Sequence, residues 1–229
     1  MEDDFIFYRR NLPHFHPSNA KFFITFRLAG SLPYNVIEHL RIERIEELKQ
    51  CFSYFKNNSQ ELRKQQYLIQ KKYFGKYDAL LDNPTTGPTW LAEPQIGKIV
   101  KEKLHELDDV RYKLIAYTIM PNHVHLVFDT KNFALQNFVK FQNKKRKHYP
   151  VTETMKIIKG NTAFKCNQRL NRKGQFWHHE SYDHVVRNSD ELLRIIKYVL
   201  DNPVKAGLVE HWQDWPFSYC ADEYIEMFL

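Results

Sequence analysis

The chain has 229 residues, 43% of them hydrophobic and 15% aromatic, with only 7 glycines. This composition excludes an intrinsically disordered chain and leaves room for one well-buried domain with elaborations. A formal charge of +7 and a pI near 9.1 favour a polyanionic partner. Nucleic acid comes ahead of a membrane surface, since no basic amphipathic helix stands alone at a terminus. Cys51, Cys166 and Cys220 lie far apart without Cys-x-x-Cys spacing, which argues against a disulfide framework or a structural zinc site. The acidic opening Met1-Glu-Asp-Asp and the lack of a long apolar run predict a cytoplasmic protein.

Residues 21–28, rich in aromatic and β-branched side chains, read as a first strand that ends at Gly30 and Pro33. From 35 to about 57, Leu40, Ile45, Leu48, Phe52 and Phe55 recur at helical spacing, and a charged helical stretch follows over 59–81 until the prolines at 84 and 88 break it. A helix over 94–107 carries Ile96, Ile99, Val100, Leu104 and Leu107 on one stripe behind Pro94. Strands over 112–119 and 123–129 are joined by a short Met-Pro-Asn turn and should pair antiparallel.

A helix over 133–148 ends in Lys144, Lys145, Arg146 and Lys147, which read either as a phosphate-binding patch or as a solvated face. Another helix covers 153–170, a strand covers 175–187, and a last helix opens at Asn188 or Ser189. Leu192, Ile195, Ile196 and Val199 form its apolar stripe, and Pro203 should stop it. With 35–81 set aside, the order is β-α-β-β-α-β. That is an α+β chain of ferredoxin-like, RRM-like plan, an antiparallel sheet with helices and a helical insertion after the first strand. Residues 1–229 should form a single domain, with the elaboration at about 35–81.

His123 and His125 are two residues apart in a strand, so both imidazoles share one face while Val124, Leu126 and Phe128 take the other. Two such histidines can grip one metal ion, although histidine pairs also occur as hydrogen-bonded core or surface residues. On the last helix Arg194, Tyr198 and Asn202 fall on one face, with Asn202 at a frayed end before Pro203. A tyrosine phenol has a pKa near ~10 and needs a metal or base to act as a nucleophile near neutrality. A cation held by His123, His125 and the Asn202 oxygen would supply that help to a phosphodiester reaction. The same Tyr198 also reads as an ordinary packed amphipathic ring, and Asn202 as a helix-terminal residue leading into an Asn-Pro turn.

Pro121-Asn-His-Val-His125, Phe176-Trp177 with Tyr182-Asp-His184 and Arg187, and Tyr198-Val-Leu-Asp-Asn-Pro-Val-Lys-Ala-Gly-Leu-Val209 with Asp214-Trp-Pro-Phe-Ser218 resemble the REP-associated tyrosine transposases. These belong to the single-tyrosine HUH transposases of small insertion sequences. Leu12-Pro-His14 and Thr25-Phe-Arg-Leu-Ala-Gly-Ser-Leu-Pro33 fit as well. The resemblance implies a DNA transposase, a single-strand endonuclease and strand transferase acting at palindromic hairpins through a covalent 5′-phosphotyrosine. Tyr198 would be the nucleophile and His123, His125 and Asn202 the ligands of Mg²⁺ or Mn²⁺. The alternative is a transposase-derived protein that binds DNA hairpins without cutting them.

The partner would be single-stranded DNA with hairpins, met at the nucleoid by a monomer or homodimer. Arg187 and Lys205, at the two ends of the catalytic helix, join the run from Lys144 to Lys147 as candidate phosphate contacts. His184 is a candidate to orient a ligand from behind or to carry a proton near the site, and Trp177 a candidate for base stacking or core. Tyr182 offers a second tyrosine without an oxygen ligand four residues on.

Overall fold

Strands with one apolar face need a partner layer, and here two helices supply it. The computed structural model describes residues 5–9, 13–17, 19–82, 86–131 and 150–228. Among these, β1 (Phe5–Arg9) and β2 (Pro13–Pro17) form a separate antiparallel pair. The main sheet contains β3 (Lys21–Leu28), β4 (Lys113–Ile119), β5 (His123–Asp129), β6 (Trp177–Val185) and β7 (Ser218–Cys220). Its order is β6-β3-β5-β4-β7 and every pairing is antiparallel. Numbered within the repeat, the first four run 4-1-3-2, the ferredoxin-like arrangement, with β7 added at one edge. The α+β expectation is borne out.

Phe22, Ile24 and Phe26 of β3 and Val124, Leu126 and Phe128 of β5 alternate onto one face and are fully or almost fully buried. Helix α3 (Pro94–Glu106) covers that face with Ile96, Val100 and Leu104, and the crossover helix α4 (Pro150–Arg169) adds Val151, Met155, Ile158 and Cys166. Trp177 joins this core, its indole N–H donating to Thr162 Oγ1 at 2.8 Å. The ring is therefore a packed core residue rather than a platform for bases. The candidate helix over 133–148 lies outside the described residues.

Helix α5 (Ser189–Lys205) covers the other face and packs against β4, β5 and β7. The Asn188 side chain accepts from the Glu191 backbone N–H at 2.8 Å, and Glu191 Oε2 accepts from the Arg187 N–H at 2.8 Å, a reciprocal cap. Pro203 does not stop this helix, contrary to the sequence expectation, since α5 runs through it to Lys205. Proline removes one donor, but its fixed φ is helical. The ending comes instead at Gly207, at φ 67, where Leu208 N–H reaches back to the Pro203 carbonyl at 2.9 Å.

Residues 30–88 form a compact unit of their own. In it α1 (Tyr34–Phe55) and α2 (Ser59–Asp82) close over Leu40, Cys51, Ile69 and Tyr73. Lys72–Glu47 and Lys76–Glu43 pairs, at 2.9 and 2.6 Å, tie the two helices.

The chain after α5 is anchored to the main sheet by Trp215, whose indole N–H donates to the Ile119 carbonyl at 2.9 Å, and by Phe217. A Cβ at Gly97 would stand 2.7 Å from Phe217 Cζ and 2.9 Å from the Leu91 carbonyl oxygen. Gly97→Ala should therefore destabilise the protein by about 1–3 kcal/mol, read as a lower urea midpoint with an unchanged slope.

Candidate active site

The pleat of β5 turns His123 and His125 away from the α3 and α4 face. Register carries the row across the sheet: Thr25 pairs with His125 and with Tyr182 on either side, Thr118 pairs with His125, and Arg27 pairs with His123. Helix α5 lies over this row. The Tyr198 ring centroid is 5.5 Å from that of His125 and 6.1 Å from that of Phe23, both at steep angles, while Phe23 stacks on His125 at 5.6 Å. The structure thus brings Tyr198 and the histidine pair to one face of the sheet.

Both histidines are fully buried. His123 Nδ1 is 2.6 Å from Asn122 Oδ1, His125 Nδ1 is 2.8 Å from Thr25 Oγ1, and the two Nε2 atoms are 3.0 Å apart. Burial pushes the His123 pKa down to about 3 and that of His125 well below its ordinary value, helped there by the neighbouring His123 and then by the charge of Lys205. Both rings are therefore neutral near pH 7, the form that binds metal. At 3.0 Å the two Nε2 atoms are within hydrogen-bond distance of each other, close enough that both would face one cation.

Asn202 follows Tyr198 by one turn of α5, in the same row. It is fully buried rather than at a frayed end, because the helix continues past it. Neither its amide oxygen nor its amide nitrogen has a hydrogen-bond partner among the described residues. An orphaned buried amide costs about 1–3 kcal/mol, so it calls for a ligand. The donor set of two neutral imidazoles and an amide oxygen fits a divalent cation such as Mg²⁺ or Mn²⁺.

The other candidates sit as follows. Lys205 is exposed, with its ammonium 5.1 Å from the Tyr198 ring centroid. Arg187 is exposed at the opposite end of α5, roughly 15 Å along the axis from Tyr198, in a cleft of about 490 Å³ that Lys21 and Lys131 also line. His184 Nε2 is 3.1 Å from Glu191 Oε1, which fastens β6 to the first turn of α5. The Tyr182 ring is 6.3 Å from Phe23. Lys144, Lys145, Arg146 and Lys147 lie outside the described residues. Sequence reasoning did not single out Thr25, Asn122 or Arg27 as part of the site. Thr25 and Arg27 alternate with the buried Phe22, Ile24 and Phe26, and that period was the available signal.

No family model matches the chain. It is similar to a protein of Haemophilus influenzae whose name assigns it to the REP-associated tyrosine transposases, at 29% identity over 112 residues, covering 47% of this chain and 58% of the relative. It is also similar to a REP-associated tyrosine transposase of Escherichia coli K12, at 24% identity over 110 residues, 48% of this chain and 55% of that one. The chain spans little more than half the length of these curated relatives. A solved structure of a REP-associated tyrosine transposase bound to a REP hairpin superposes with a TM-score of 0.44 and 16% identity, over 92% of this chain and 80% of that chain. The resemblance carried by the sequence motifs is borne out by the curated relatives. Among the described residues, no helix is long and apolar enough to cross a membrane.

Because the Asn202 amide is orphaned, Asn202→Leu should stabilise the chelator-treated protein by about 1–3 kcal/mol in urea unfolding and should lack the gain in stability expected of the parent on adding Mn²⁺. A destabilised Asn202→Leu protein would show that the amide has a partner after all.

Proposed function

We propose that this chain is a metal-dependent tyrosine transposase, a single-strand DNA endonuclease and strand transferase acting beside DNA hairpins. We read it as one HUH domain, with the 30–88 unit as an elaboration and the nucleoid as its place of work. The observation that carries the reading is the packing of the Tyr198 ring on His125, 5.5 Å between centroids. It sets a phenol over a pair of neutral imidazoles whose Nε2 atoms are 3.0 Å apart. The curated relatives named as REP-associated tyrosine transposases support the same reading.

His123, His125 and Asn202 would hold the ion, Mg²⁺ or Mn²⁺, and its charge when bound polarises the scissile phosphate. Tyr198 attacks phosphorus through its phenolic oxygen and gives its proton to solvent. A tyrosine oxygen–phosphorus bond forms as the bond from phosphorus to the 3′ oxygen breaks. The 3′ oxygen leaves with the electron pair and takes up a proton. The products are a 5′-phosphotyrosine and a free 3′-hydroxyl. Attack by a 3′-hydroxyl on that phosphotyrosine rejoins the strand without ATP, since one phosphodiester replaces another.

Lys205, 5.1 Å from the Tyr198 ring centroid, offsets the negative charge that grows on the phenol oxygen. With Arg187 and the Lys144-Lys-Arg-Lys147 run it supplies contacts to the DNA backbone. The basic balance of +7 suits that partner.

On a single-stranded oligonucleotide carrying a hairpin, the parent chain with Mn²⁺ should form a covalent adduct that survives denaturing electrophoresis. Tyr198→Phe and chelation should each abolish it. Adduct formation by Tyr198→Phe would sink the nucleophile assignment. Hairpin binding without any adduct, across several metals, would favour a non-cutting hairpin-binding protein. Lys205→Ala and Arg187→Ala should each lower the slope of log affinity against log salt by about 0.7, the value for one phosphate contact on a single strand.

A further inference from the structure

Like charges repel, so cations gathered in one concave site are stabilised by an anion placed among them. Three cationic side chains, Lys21, Lys131 and Arg187, line the cleft of about 490 Å³ beside the start of α5, and one carboxylate, Asp129, lies among them. Lys21 Nζ and Asp129 Oδ2 are 3.1 Å apart, so that carboxylate is already engaged. Lys131 is exposed and makes no ion pair among the described residues. The Asn188 side chain, also at the cleft, is committed to capping α5. The surplus of positive charge therefore lies in side chains and not in an uncapped helix end.

Three separate segments supply these cations, and the sheet fixes the backbone of each. Lys21 opens β3 and pairs with Asp129 at the end of β5. The Thr130 hydroxyl donates to the Ala20 carbonyl at 2.9 Å, and Thr130 N–H donates to the same carbonyl at 3.0 Å, which holds the chain just before Lys131. Val186 N–H donates to the Lys21 carbonyl at 2.9 Å, which sets Arg187 beside them. The volume falls within the range of small-ligand sites, about 300–1,000 Å³, enough for one nucleotide.

We infer that this cleft seats a phosphodiester of the DNA single strand, about two to four nucleotides to one side of the phosphate that Tyr198 attacks. The inference rests on the DNA reading given above and gives that strand a second point of attachment. Arg187 stands roughly 15 Å along the α5 axis from Tyr198. Phosphates advance about 3.4 Å per nucleotide along a stacked strand and roughly twice that along an extended one, so about two to four steps span the gap. Lys131 and Arg187 neutralise the seated phosphate, while Lys21 stays shared with Asp129. A charge contact this far from the metal site holds the strand through cleavage and rejoining without touching the reacting atoms.

Anisotropy of a fluorescein-labelled oligothymidylate of about twelve nucleotides, within the usual site sizes for single strands, tests the cleft on the full chain without any cleavage. Over a salt series Lys131→Ala should lower the slope of log affinity against log salt by about 0.7, and Lys131→Ala combined with Arg187→Ala by about 1.4. Lys131→Arg should keep the parent slope. Asp129→Asn should bind about two- to fivefold more tightly, the size of one exposed charge contact. Lys165→Ala, exposed on α4 over the other face of the sheet, should leave the slope unchanged. For register, single uncharged methylphosphonate linkages are walked outward from the scissile phosphate of a hairpin oligonucleotide that the parent converts to the covalent adduct. The parent should lose affinity at one linkage about two to four nucleotides away, and the double variant should be indifferent to it. The inference is overturned if the parent does not bind the oligothymidylate, if Lys131→Ala keeps the parent slope, if Lys165→Ala lowers it as much, or if the double variant still senses that linkage. Inorganic phosphate bound at the cleft in ³¹P spectra, with strand affinity indifferent to Lys131→Ala, would assign the cleft to a free anion and overturn it too. A chain that binds the oligothymidylate through Lys131 but forms no adduct overturns the strand-transfer reading and leaves the cleft standing. Adduct formation with an unchanged Lys131→Ala slope does the reverse.

Discussion

Everything at this site depends on the two-residue period of β5. Val124, Leu126 and Phe128 are held in the core under α3 and α4, and that burial alone obliges His123 and His125 to face the other way. A slip of one residue would turn three large apolar side chains toward the polar row under α5 and set two imidazoles among the hydrocarbon under α3 and α4. Pairing with β3 on one side and β4 on the other holds the register at both edges. The histidine pair is thus as rigid as the sheet, which is what the proposed metal site requires of its ligands.

The other half of the site depends on a helix that satisfies two demands at once. Leu192, Ile196, Val199 and Leu200 of α5 are buried against the sheet, while Tyr198, one turn before Asn202 on the same row, meets His125. The reciprocal cap between Asn188 and Glu191, and the bond from Glu191 to His184, fix the first turn of α5 to β6. That anchoring sets the position of Tyr198 more than two turns later. Burial of an Asn202 amide with no partner among the described residues is the local cost of this arrangement. A residue kept there for packing alone would be apolar, and the proposed metal site gives the orphaned amide a use.

Much of the scaffold was legible along the chain, because strand and helix periods are local. The strands at 21–28, 113–119 and 123–129 and the helices at 34–55, 59–82 and 94–106 follow directly from apolar spacing. The three-residue β7 is too short to show a period, and its pairing with β4 depends on Trp215 and Phe217 reaching back to the sheet. Pro203 misled because proline is a strong local signal, whereas the helix ending was set by the left-handed Gly207 and by burial of the turn that holds Asn202 and Pro203. The same misreading put Asn202 at a solvent-facing end.

The sequence by itself determined that His123 and His125 share a face, that Tyr198 and Asn202 share a helix row, and that the chain alternates strands and helices in β-α-β-β-α-β order. Each of these depends only on residues a few positions apart. Tertiary structure alone decided that the two rows meet, that the imidazoles are buried and neutral, and that Thr25 stands 2.8 Å from His125 across 100 residues of sequence. Strand register and helix docking are long-range events, and the hydrogen-bond partners that orient a ligand are chosen by them.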